Sequence, residues 1–128
     1  EHRTLLSAAL TEKHRSRLES LDCFARENRR KLRHAAGRSA CGLHRLSMEM
    51  LALHAHQAQL LARIGLAGID DDQRTLEKIA RDYPKLLRKT LKQYGSWIDP
   101  LMALPVRLAL IQRLGESRLN QLWAEYRL

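Results

Sequence analysis

Apolar residues return every three or four positions through most of this chain, which is the period of helices that bury one side. Leu6, Leu10, His14, Leu18, Leu21 and Ala25 predict a first helix from Thr4 to about Asn28. A second series, Leu32, Ala36, Ser39, Leu43, Leu46, Met50, Leu53, Gln57, Leu60 and Ile64, alternates steps of four and three without a slip. That is a heptad seam of bundle or coiled-coil type, and it allows a homo-oligomer through the same seam. Between Ala35 and Ile69 the charged residues are Arg38, Arg45, Arg63 and Glu49, so this stretch reads as the central, most buried helix.

Breaks in the pattern coincide with capping residues. Gly65 followed by Leu66 reads as a left-handed cap that ends the second helix. Asp70 with Gln73 reads as a capping box opening a third helix through about Tyr94, with Leu76, Ile79, Tyr83, Leu86 or Leu87, and Leu91 on its apolar side. Pro84 removes a backbone donor inside that helix and predicts a kink or break near Tyr83. Gly95 closes it, Ser96 with Asp99 forms another capping box, and Pro105 suits the first turn of a short helix. Gly115 and Ser117 set off a last helix ending in Leu122, Trp123 and Tyr126. The expected fold is an all-α, single-domain helical bundle over residues 1–128, with about four main helices. Residues 1–66 form a long hairpin, and 70–128 a kinked helix followed by short ones.

Composition narrows the class further. Hydrophobic residues make up 45% and charged residues 29% of the 128, the proportions of a folded globular chain. Six glycines, three prolines and six aromatic residues are too few for a β fold's turns and strands. No apolar run approaches a membrane span, and the first dozen residues lack the apolar centre of a secretory signal. A cytoplasmic protein is expected, with Cys23 and Cys41 as buried free thiols. The chain opens on Glu1 rather than Met, as a segment of a longer protein would.

Charge supplies the functional signal. Lys and Arg number 23 against 14 Asp and Glu, for a net charge of +9, and 17 of the 23 are Arg. Arg26, Arg29, Arg30 and Arg33 fall at i, i+3, i+4 and i+7, and Lys78, Arg81, Lys85, Arg88, Lys89 and Lys92 form a similar stripe on the third helix. Guanidinium forks match phosphate oxygens in pairs, and a cationic stripe binds a polyanion by releasing its counterions. The expected role is therefore a non-enzymatic binding or adaptor module whose partner is nucleic acid, with these ten residues as contacts. A solvated polar back to a bundle helix gives the same pattern. A protein adaptor without nucleic acid is the alternative, its helical or acidic partner covering Leu119, Leu122, Trp123 and Tyr126.

Two segments have some features of a helix-turn-helix: Arg107–Tyr126, with Leu110, Leu114, Gly115 and Ser117, and Thr75–Gly95, with Ile79 and Ala80. Cys41 and His44 stand i, i+3 as a metal-binding pair could, but no second pair at ligand spacing accompanies them. His14 falls on the apolar seam, the place of a hydrogen-bonded core histidine. No catalytic residue, metal or cofactor is assigned.

Arg38, Ser39 and His44, or Arg29 and His34, resemble the Arg-x(4 to 6)-His signature of HEPN ribonucleases. That resemblance implies a small helical domain in which Arg and His act on the RNA phosphodiester without a metal. Leu32 to Leu46 is also similar to the phosphoacceptor helix of histidine phosphotransfer domains. There the pattern requires His, Lys, Gly in order, whereas here Gly37 precedes Arg38 after His34. The small residues Ala35, Ala36, Gly37, Ser39, Ala40, Cys41 and Gly42 equally mark a strip where a helix packs close or bends.

Overall fold

A computed structural model describes residues 2–95 and 100–124, with side chains for 11–95 and 102–124. Every regular element among them is helical: α1 (His2–Arg38), α2 (Gly42–Ile69), α3 (Gln73–Tyr94), a 3-10 turn (Pro100–Ala103), α4 (Leu104–Leu114) and α5 (Glu116–Trp123). The contacts divide the chain into two compact units, Glu1–Leu66 and Ala67–Leu128, so the boundary falls near the end of α2. The expected capping box at Ser96 and Asp99 lies outside the described residues.

The first unit is an antiparallel hairpin of α1 and α2. Asp22 Oδ1 lies 3.5 Å from Arg63 Nε. One turn away, Gly65 lets the helices approach so closely that a Cβ there would stand 2.8 Å from Leu18 Cδ1. Gly65 therefore lies inside α2 against Leu18, and the predicted left-handed cap at this position is replaced by four further helical residues. The first helix likewise runs ten residues past Asn28, and the uninterrupted seam from Leu32 to Ile64 is cut by a turn at Ser39–Cys41. Small residues with poor helix propensity crowd this point.

The inward face of α1 keeps Leu18 and Ala25 of the predicted seam but takes Asp22 in place of Leu21: Leu18, Asp22, Ala25, Arg29, Leu32 and Ala36 are buried or half-buried, while Leu21 is 41% exposed. His14 is exposed rather than a core histidine. Both cysteines are free, but exposed: Cys23 lies on the outward side of α1 and Cys41 in the turn.

The second unit begins with the end of α2. Asp72 N–H donates to Ala67 O at 2.8 Å and Asp71 N–H to Gly68 O at 3.3 Å, the paired bonds of a Schellman cap. Asp71 takes the left-handed position, with φ 52°. Two residues after the predicted box, Asp72 caps α3 instead of Asp70, its carboxylate accepting from Thr75 N (3.1 Å) and Thr75 Oγ1 (2.6 Å). Those bonds hold the Asp72 carboxyl below its usual range, the Thr75 hydroxyl contributing most and its backbone N–H next.

Helix α3 buries Leu76, Ala80, Tyr83, Pro84, Leu87 and Thr90. Thr90 takes the inward place predicted for Leu91 by donating its hydroxyl to Leu86 O at 2.7 Å, and Leu91 stays 45% exposed. The helix runs through Pro84 without the predicted break. Proline at this position leaves the carbonyl of Ala80, four residues back, without its helical donor. Trp123 Nε1–H fills that vacancy, donating to Ala80 O at 2.7 Å from the buried side of α5. The indole also lies against Tyr83, ring centroids 6.3 Å apart.

Helices α4 and α5 meet at the single residue Gly115, whose φ of 87° favours glycine. One joining residue is shorter than the three or four of a helix-turn-helix, and α3 is a continuous helix, so neither predicted segment has that geometry. Among the described residues no helix is long and apolar enough to cross a membrane.

Candidate nucleic-acid interface

The C-terminal half of α1 is the most cationic segment of the first unit: residues 26–38 hold Arg26, Arg29, Arg30, Lys31, Arg33 and Arg38 against one acid, Glu27. They do not form the uniform stripe that spacing predicts. Arg26, Arg30 and Arg33 are exposed. Arg30 is clamped by Glu27, with Nε donating at 3.2 Å and Nη2 at 2.5 Å. That clamp raises the Arg30 pKa and lowers that of Glu27.

Arg29 is half-buried on the seam side, where burial first, then Arg33 and Arg63, lower its pKa. The same cations face His56 of α2. Burial first, then Arg29, Arg63 and Arg33, depress the imidazole to about 4, so it is neutral at physiological pH. Asp22 is the carboxylate beside Arg63, yet no hydrogen bond reaches its buried Oδ1. The middle of the hairpin therefore carries several guanidiniums around a neutral ring, an arrangement that favours anions over cations.

The tip of the hairpin is the more concave surface. Arg30, Lys31, His34, Ala35, Arg38, Ser39 and His44 line an open cleft of about 510 Å³. The turn that forms it is held by its own polar groups. Ser39 N–H donates to Ala36 O at 3.2 Å, and Arg45 Nη2 reaches back to Ser39 O at 2.8 Å. Ser39 Oγ donates to Cys41 O at 3.2 Å and stands 2.9 Å from His44 Nδ1. A hydroxyl has one proton, so with that proton on the Cys41 carbonyl, His44 Nδ1–H donates to Ser39 Oγ. This contact fixes the ring and leaves Nε2 as the nitrogen without a partner among the described residues.

No acidic residue lines the cleft, and no ion pair joins Lys31 or Arg38 to an acid among the described residues. The first turn of α2, where helix dipoles are positive, also lacks an acid. Charge spacing alone does not find this cleft, because the turn at Ser39–Cys41 brings His44 beside Arg38 and His34. The Arg-x(4 to 6)-His pattern marks part of it: Arg38, Ser39, His44 and His34 all line the cleft, and Arg29 does not.

In the second unit, Lys78, Arg81, Lys85, Arg88, Lys89 and Lys92 are all exposed, on α3 positions other than those that bury Leu76, Tyr83 and Leu87. Two acids interrupt this helix, Glu77 and Asp82. Glu77 Oε2 lies 3.5 Å from Arg81 Nη2, while its Oε1 accepts from Arg118 Nε of α5 at 2.6 Å.

The predicted partner surface is not available as expected. Leu119 and Trp123 are 1% and 5% exposed because they form the core under α3, and Leu122 is half-buried. Tyr126 lies outside the described residues. No three His, Cys, Asp or Glu side chains gather into a metal-binding group among the described residues.

No protein-family model, curated protein or solved structure matches this chain.

Proposed function

We propose that this chain is a non-enzymatic basic module that binds the phosphate backbone of nucleic acid. The observation that carries the reading is that Lys31, His34, Arg38 and His44 line one cleft at the hairpin tip, beside Arg30, which Glu27 holds. Cations on a solvated back face have no reason to converge, whereas phosphate oxygens accept from several such donors at once. The exposed face of α3 adds a second, flatter surface of six cations, suited to contacts that position a duplex or strand without reading its bases. An acidic protein is the competing partner for the same charges.

The test is an electrophoretic mobility assay on nuclease-treated protein with generic duplex DNA and single-stranded RNA. Wild type retards both, and the triple variant Arg81→Glu, Lys85→Glu, Arg88→Glu loses most of its affinity. Undiminished binding by that variant removes α3 from the reading. Retardation of neither probe, with a nuclease-resistant acidic partner instead, replaces the reading by the adaptor role.

A second reading is a metal-independent ribonuclease, favoured by the presence of two imidazoles, His34 and His44, in one cationic cleft. It requires that purified protein cut RNA in the presence of a chelator and that His34→Ala and His44→Ala each abolish cutting.

A further inference from the structure

Resting on the nucleic-acid reading, we infer that the hairpin-tip cleft binds a terminal phosphate monoester at the end of a nucleic-acid strand. Three observations separate it from the rest of the cationic surface. First, its donors lie together: the Lys31 ammonium, the Arg38 guanidinium and the His34 and His44 imidazoles line a single cleft beside Arg30, whose Nε and Nη2 are held by Glu27, whereas the α3 cations run along an open helix face. An internal phosphodiester carries one charge and two free oxygens. A terminal monoester carries nearly two charges and three oxygens, and so rewards a convergent set of donors.

Second, the cleft, of about 510 Å³, is open to solvent, so a strand end can reach its donors without threading into an enclosed cavity.

Third, Ser39 Oγ stands 2.9 Å from His44 Nδ1, and this contact orients the imidazole that lines the cleft.

The experiment compares one short single-stranded oligonucleotide bearing a 5′-phosphate, a 3′-phosphate or hydroxyls at both ends, by fluorescence anisotropy at fixed salt. A phosphorylated end is expected to bind roughly tenfold tighter than the hydroxyl form, the scale of a charge-assisted contact. The preference disappears in Lys31→Ala with Arg38→Ala, whose helical content is checked by circular dichroism. Ser39→Ala reduces it. The α3 triple Glu variant lowers affinity for all three probes and keeps the ratio. Equal affinity for the three probes in wild type, or a ratio untouched by the Lys31 and Arg38 changes, overturns the inference and leaves backbone binding in place. Absence of binding to any probe at low salt overturns backbone binding and the inference with it.

Discussion

Trp123→Phe tests whether the indole is what carries α3 through its proline. In the wild type the Ala80 carbonyl is buried, has lost its helical donor to Pro84, and accepts from Trp123 at 2.7 Å. Phenylalanine retains most of the ring packing on Tyr83 but has no N–H. An orphaned buried acceptor costs about 1–3 kcal/mol. The smaller ring gives up roughly 40 Å² of apolar area, or about 1 kcal/mol. The variant should therefore lose about 2–4 kcal/mol in urea denaturation followed by circular dichroism. Placing Ala at 84 returns an N–H four residues after Ala80, so in a Pro84→Ala background the orphan vanishes. There Trp123→Phe costs only the packing loss of about 1 kcal/mol, leaving a coupling of about 1–3 kcal/mol. An equal cost of Trp123→Phe in both backgrounds refutes the reasoning, because the indole would then act by packing alone.

Three further outcomes follow from individual positions. His56, held neutral by burial and by Arg29, Arg63 and Arg33, has a folded pKa of about 4 against an ordinary 6.5, so the unfolded chain binds the proton first. Stability should be constant above about pH 6.5 and fall as pH drops toward 4, and His56→Gln should flatten that slope in denaturation curves measured across this window. Asp72 has a lowered pKa, so its cap contributes above the ordinary carboxylate range and is lost as pH falls through the folded value. Asp72→Asn should remove that acid sensitivity from the melting of α3. Asp71→Gly relieves a left-handed conformation and should stabilise the second unit by roughly 0.5–1 kcal/mol, whereas Asp71→Val should destabilise it. Thermal melts of the three proteins give the order directly.

The helical class and the extent of α3 to within a few residues were legible because the apolar spacing holds through Leu76, Tyr83 and Leu87. Phase and boundaries were not legible wherever tertiary contact decides them. Gly65 has the composition of a cap but lies inside the helix against Leu18, and the cap passes to Asp71, a residue whose left-handed conformation is uncommon. On α1, a rule that sends apolar residues inward selects Leu21, whereas the hairpin turns Asp22 and Arg29 toward Arg63 and His56. Pro84 reads as a break because its remedy lies 39 positions away, in an indole the sequence offers as a partner surface. For the site, the stripe on α3 was visible as spacing on one helix. The tip cleft was not, since it depends on a three-residue turn bringing His44 back to Arg38 and His34.

The most direct test of phosphate-backbone binding is the salt dependence of the affinity for generic duplex DNA, measured by fluorescence anisotropy in wild type and in the α3 triple Glu variant. A backbone-binding surface predicts that log affinity falls linearly with log salt, and that the slope becomes shallower by about 0.9 for each phosphate contact the variant loses. Binding that is insensitive to salt would contradict it, and a slope that the three charge reversals leave unchanged would remove α3 from the binding surface.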